Sequence, residues 1–511
     1  MSFRKYITGK KATANSSAQN LGRHFQRIGK TSEQLKAKYF SASKTLSKLG
    51  AVLARCNCLA LASACCKNAI TINPNCKDAY LQLARILVSQ DRNHDAAETY
   101  KKVIALQPTL STVYNLGLET ARNGNLNDKF YSAALNLVGI DEISLMIKTL
   151  AKSPIIYQPS KLWLYFMIFN TYQLETGGVE NFKRTVNNNY FNWTADNDVN
   201  TQFQALKHEL CWSNSDLINA QSYVNFDSSA RPREFSEEKW TKYLQFLSML
   251  WEVTIRNDQL KLLDKLDEPP IGNPVAVEYK NRIVTQDICN SVLEVNTIMN
   301  FIKHDSDKKL RVIELGAGHG RVSNVLLHAV ENIQIVIVDI PPALYVSQWY
   351  LTKLFPKLRV FKFRDFSSYR EVQEEFEECS LAFLSPAQVE YLPDQMFDLF
   401  INISSLHEMT PAQIENWFGQ INRLCKGWFY TKQYIESKNS FDDIVIRQED
   451  YPVRKHWKPL LNRKSPIFPE LFEAIYQIHS NQSAVVEKKQ VTIEGPSEYS
   501  LLLEPKNVCK H

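Results

Sequence analysis

Three groups of residues in the C-terminal half have the types and spacings that chemistry needs. The first is a glycine-rich turn, Gly316-Ala-Gly318-His-Gly320, directly after the apolar run Arg311–Leu315. Glycines behind a strand let the backbone approach a ligand and open a helix whose N-terminus faces it. A dinucleotide fingerprint would need G-x-G-x-x-G, but position 321 is Arg, and no G-x-x-x-x-G-K-[ST] phosphate loop occurs in the chain. The second group is acidic: Glu314 beside the turn, Asp339 twenty-five residues on, and Asp365 beyond. An ionised carboxylate is a natural acceptor for paired hydroxyls. The third is the run Asn402-Ile-Ser404-Ser405-Leu406-His407-Glu408-Met409. His407 and Glu408 are its two candidate bases, and a histidine titrating near neutrality suits proton transfer. For either residue the alternative is helix capping or packing.

These groups need a frame to hold them. Strands are expected at Arg311–Leu315, Ile333–Val338, Arg359–Phe363, Phe397–Ile403 and Trp428–Tyr434. Helical stretches separate them at Arg321–Ala329, Tyr345–Phe355, Glu371–Glu378 and Pro411–Cys425. Alternation of this kind implies an α/β fold with a doubly wound parallel sheet. Ligands of such sheets bind at the carboxyl ends of the strands, where Gly316, Asp339, Asp365 and Asn402 all fall.

Glu314-Leu-Gly316-Ala-Gly318-His-Gly320, with Asp339 and Asp365, resembles the motifs of class I S-adenosylmethionine-dependent methyltransferases. The run Ser404-Ser405-x-x-Glu408-Met409 is similar to the bacterial sugar O-methyltransferase family. So are Gly272-Asn-Pro274, Tyr279, Arg282 to Asp287, Asn290-Ser291 and Glu294 upstream, and Trp428 to Tyr434, Tyr451-Pro452, Trp457 and Phe468 to Tyr476 downstream. The resemblance spans roughly 160–480. This chain departs from the family at His407, where Gln is expected, and at Asn281, where a glycine is expected.

The resemblance implies a Rossmann-like domain with S-adenosylmethionine as cofactor. Glu314, Gly316, Gly318 and Gly320 would seat its methionine end, Asp339 its ribose and Asp365 its adenine, with Asn402 counted among the cofactor residues. His407 or Glu408 would take the proton of a sugar hydroxyl. Tyr279, Arg282, Gln286 and Asp287 would meet substrate, and Arg282 could instead pair with the methionine carboxylate. No His/Asp/Glu grouping has metal spacing, although some sugar methyltransferases use magnesium. The expected setting is decoration of a surface polysaccharide. A different acceptor, such as a small metabolite or an amine, and a scaffold with a non-catalytic methyltransferase fold are the alternatives.

The N-terminal half reads differently. Pro74 and Pro108 lie 34 residues apart. Leu46, Leu49, Gly50, Leu53, Ala62, Cys66 and Ala69 before the first match Tyr80, Leu83, Ala84, Leu87, Ala96, Tyr100 and Val103 before the second. This resembles tetratricopeptide repeats over roughly 42–135, with a weaker third unit at Tyr114, Leu116, Gly117 and Ala121. Such repeats imply a protein-binding groove, for example for a glycosyltransferase. Residues 161–260 hold eighteen aromatics and five of the nine tryptophans, which reads as helical core.

The expected domains are a basic arm (1–41), the repeats (42–135), the aromatic helical segment (136–270) and the methyltransferase domain (271–500). Of the net charge of +6, residues 1–50 carry +10, with eleven Lys/Arg against Glu33 alone. Basicity confined to an arm, without a basic folded face or a known motif, argues against nucleic acid as a partner. Five of ten cysteines crowd between Cys56 and Cys76 without C-x-x-C spacing, so neither a disulfide framework nor a zinc site is expected. No apolar run is long enough to span a bilayer, and a cytoplasmic setting is expected.

Overall fold

A computed structural model describes residues 41–90, 92–106, 135, 138–186, 199–226, 231–232, 235–302, 304–439 and 442–478. The chain divides into two units, 1–137 and 138–511.

In the first unit the described residues form helices at 41–55, Leu59–Ile72, Lys77–Ser89 and Asn93–Leu106. The second and fourth of these are 14 residues long and begin 34 positions apart. Small residues let the helices close: Ala62, Cys66, Ala69, Ala84 and Ala96 are buried, and a Cβ on Gly50 would sit 2.6 Å from Cys66 Sγ. The third repeat unit and the basic arm to residue 40 lie outside the described residues.

The second unit is built on an eight-stranded mixed sheet. Its strands are β1 (Leu310–Leu315), β2 (Ile333–Val338), β3 (Val360–Phe361), β4 (Leu381–Leu384), β5 (Phe397–Ile403), β6 (Cys425–Tyr434), β7 (Lys458–Lys464) and β8 (Leu471–Gln477). The order across the sheet is β7-β8-β6-β5-β1-β2-β4-β3, with β7 and β8 antiparallel to their neighbours and the rest parallel. The chain leaves β1 toward β2 and returns to its other side at β5, so the switch point lies between β1 and β5.

Both faces of the sheet are covered, which is why β2 reads as an unbroken apolar run apart from Gln334. Ile313, Val336 and Val338 join the core with Trp417, Phe418 and Ile421 of the helix Pro411–Leu424. On the other face Leu351, of the helix Ala343–Leu354, approaches Ile337 over Gly320. Gln334 is tolerated inside because its amide donates to the carbonyls of Phe376 (2.6 Å) and Cys379 (3.1 Å).

The third strand of the sequence reading needs correction. Only Val360–Phe361 of the expected Arg359–Phe363 pairs, at the sheet edge, and β4 stands between it and β2. A four-residue run such as Leu-Ala-Phe-Leu, buried throughout, carries no period that distinguishes a strand. The helical segment ahead of the sheet includes Lys161–Gly177, capped by Ser160, and Glu237–Asn257, capped by Ser236. Trp240, Tyr243, Phe246 and Trp251 are buried, as core aromatics should be. No helix among the described residues is long and apolar enough to cross a membrane.

Candidate active site

A cavity of about 800 Å³ opens at the carboxyl ends of β1, β2, β4 and β5. That volume lies toward the upper end for small-molecule sites. Its floor is the glycine turn. Gly316, Gly318 and Gly320 all have positive φ (+69°, +61° and +84°), the region open to glycine at little cost. A Cβ on Gly316 would collide with the Ser405 side chain, and one on Gly320 would reach 2.7 Å from Leu351 Cδ1. Gly316 and Gly318 line the cavity, whereas Gly320 starts the helix Arg321–Ala329 behind it.

Asp339 ends β2 at the cavity wall. Its carboxylate accepts from the backbone N–H of Gly318 (2.9 Å) and of Ile340 (2.7 Å). Burial pushes its pKa up to about 7, with those two donors opposing the shift. Glu314 also lines the cavity, accepts from the Ser323 hydroxyl, and is pushed up to about 7 by burial.

His407 is held by a chain of amides. Its Nδ1 lies 3.0 Å from Gln433 Oε1, Gln433 Nε2 donates to Asn402 Oδ1 (2.5 Å), and Asn402 Nδ2 donates to the Leu315 carbonyl (2.9 Å). Each amide has its oxygen turned toward the next donor, so Nδ1 carries the proton and Nε2 keeps a lone pair. Burial lowers the His407 pKa to about 4, so the ring is neutral at neutral pH. Nε2 lies 3.7 Å from Glu408 Oε1, and Glu408 Oε2 accepts from the indole N–H of Trp163 (2.7 Å).

A buried charge cluster stands beside the turn. Glu294 accepts from Arg321 (2.5 Å) and from Lys432 (3.0 Å). Burial works against its charge, but the two cations outweigh it and hold the carboxyl below its usual range.

Of the residues singled out from the sequence, Glu314, Gly316, Gly318, Asp339, His407, Glu408 and Gln286 line the cavity. Asn402 lies beneath it, buried, and ties Leu315 to Ser405. Asp365 does not reach the cavity: it is exposed in the loop after β3, and Pro386, just past β4, occupies the wall instead. Tyr279 and Arg282 also stand elsewhere, in a hairpin. Tyr279 donates to Glu252 (2.9 Å), and Arg282 donates to Asp267 (2.9 Å) and to the Leu266 carbonyl (2.9 Å). Asp287 is buried 3.8 Å from His319 Nε2, outside the cavity lining. The sequence reading missed Arg321, Lys432, Gln433 and Trp163. Arg321 carried a signal, since it replaces a glycine of the dinucleotide pattern.

No family model matches this chain, and no curated protein matches it. Among solved structures it is similar to the PH0226 protein from Pyrococcus horikoshii OT3 (14% identity over 38% of this chain and 92% of that one, TM-score 0.28). It is also similar to a SAM-dependent methyltransferase from Aquifex aeolicus (11%, 36% and 89%, TM-score 0.23). A third likeness is to the 1,6-didemethyltoxoflavin-N1-methyltransferase of Burkholderia thailandensis, with 1,6-didemethyltoxoflavin and S-adenosylhomocysteine bound (14%, 34% and 73%, TM-score 0.25). Likenesses this weak lend no weight to any particular function.

Proposed function

We propose that the chain is an S-adenosylmethionine-dependent methyltransferase acting on a sugar hydroxyl. The observation that carries this reading is the meeting, in one cavity, of the glycine turn, Asp339 and a neutral His407 with its Nε2 lone pair unprotonated. The residues suit the cofactor. The Gly316–Gly318 backbone leaves space where side chains would stand, and Asp339 is a desolvated carboxylate suited to two ribose hydroxyls. Arg321 lines the cavity beside the turn, and its guanidinium, bonded to Glu294, suits the carboxylate of the methionine end. That role passes from Arg282, and the adenine wall passes from Asp365 to the segment after β4.

When bound, S-adenosylmethionine supplies a methyl carbon made electrophilic by its sulfonium. The protein's part is alignment and proton removal, since a neutral alcohol is a weak nucleophile. His407 Nε2 would accept the hydroxyl proton as the carbon–oxygen bond forms, and Glu408 at 3.7 Å would stabilise the resulting imidazolium. A base with a pKa near 4 is weak toward a resting alcohol. It is suited to a hydroxyl that turns acidic during transfer.

The test is calorimetric titration with S-adenosylhomocysteine, with Asp339→Ala as control. Stoichiometric binding weakened at least tenfold in the control, a loss of about 1.4 kcal/mol or more, supports the reading. Absence of binding by folded protein overturns it.

A further inference from the structure

The cavity extends sideways along the sheet, from β1 and β2 toward β6 and β8. There Tyr434 ends β6 and Glu470 immediately precedes β8, and both line the cavity with Trp163, Phe166, Gln202 and Glu408. Gln202 Nε2 donates to Glu470 Oε1 (2.9 Å), and Trp163 donates to Glu408. Aromatic faces interleaved with amide and carboxylate groups make a wall that can stack a ring and orient its substituents.

Carboxylates predominate at this end. Burial first, then Glu470 and Glu408, raise the pKa of the Tyr434 hydroxyl, so both carboxylates bear on the same place. The lining has two cations among the described residues. Arg321, beside the glycine turn, is paired with Glu294, and Lys438 is exposed to solvent. Phosphate recognition uses Arg or Lys aimed at the anion, whereas this end sets Glu408 and Glu470 against the exposed Lys438.

The unmet hydrogen bonding leans toward acceptors. Three buried oxygens on the lining, Gln286 Oε1, Ser404 Oγ and Glu470 Oε2, have no hydrogen-bond partner among the described residues. The first and last are acceptors only and the hydroxyl can also accept; buried acceptors are costly to leave unpaired, so a ligand that fits brings donors.

We propose that the acceptor is an unphosphorylated sugar residue whose hydroxyl or ammonium donors meet Glu470 and the neighbouring carboxylate, not a nucleotide-linked or phosphorylated sugar. The proposal rests on the methyltransferase reading.

The experiment measures S-adenosylhomocysteine release by the full chain with two panels of acceptors. One holds neutral and amino-sugar methyl glycosides and oligosaccharides; the other holds nucleoside-diphosphate sugars and sugar phosphates. Turnover confined to the first panel is expected. Glu470→Gln should raise KM there at least tenfold, more than it lowers kcat, with S-adenosylhomocysteine affinity unchanged. Turnover confined to the second panel overturns the proposal. Turnover of neither, with S-adenosylhomocysteine still bound, also overturns it while the methyltransferase reading stands. Failure to bind S-adenosylhomocysteine at all removes both.

Discussion

Gln433 Oε1 lies 3.0 Å from His407 Nδ1, and this contact decides which imidazole nitrogen is available to a substrate. Nitrogen-15 spectra of histidine-labelled protein should show the Nδ1–H tautomer for the resonance that disappears in His407→Gln. Gln433→Leu should mix the tautomers. Gln433→Glu should raise the His407 pKa, because a carboxylate favours the imidazolium. An unchanged tautomer in Gln433→Leu would remove Gln433 from its positioning role.

His407 also makes stability depend on pH. Its folded pKa of about 4 lies below the ordinary value of 6.5, so between them the unfolded chain binds more protons. The contribution is complete above about pH 6.5 and is lost as pH falls toward 4, on the order of 3 kcal/mol in all. Urea titrations across that window should show a shallower decline in His407→Gln than in the parent protein.

Asp339 sets a second pH dependence, this time in ligand binding. With burial holding its pKa at about 7, the carboxylate is half protonated at neutrality, yet it must be ionised to receive hydroxyls. Affinity for S-adenosylhomocysteine should therefore fall as pH drops from about 8 to about 6, approaching tenfold per unit below the pKa. Asp339→Asn should bind more weakly at the high end and flatten the profile. A parent profile as flat as the variant's would contradict this.

Gly316→Ala should damage the site more than the fold. The new Cβ meets Ser405 at a residue with φ of +69°, and positive φ costs roughly 1–3 kcal/mol for a non-glycine residue. Circular dichroism should stay close to that of the parent while S-adenosylhomocysteine binding drops at least tenfold. Parent-like affinity would mean that the turn yields without consequence.

Glu294→Gln should be the most destabilising of these changes. It leaves Arg321 and Lys432 buried without their shared anion, a situation that typically costs about 3–5 kcal/mol. Chemical denaturation gives the number directly. A loss below about 1 kcal/mol would mean that water reaches the cations.

The residues legible in the sequence were those whose spacing is local. The glycine turn, Glu314 and Asp339 sit at the ends of two strands with strong apolar runs, and the His407–Glu408 pair follows a third. Asp365 misled because a strand of four apolar residues, β4, gave no periodic signal, so the acid after a two-residue edge strand took its place. Arg282 misled for a different reason: its charge is spent on Asp267 and Leu266. Gln433 and Trp163 lay beyond reach, since each matters only through a partner 26 or 245 positions away in the chain. Nothing in their local sequence distinguishes them from core residues.

Trp163 stands on the helix Lys161–Gly177, well ahead of the sheet, and its indole holds Glu408 beside the candidate base. Two stretches of the gene thus divide the labour. In the proposed function the sheet would supply the methyl-donor seat, and the preceding helices part of the wall an acceptor would meet. Drift in the helices can retune which molecule is accepted while the glycine turn stays untouched.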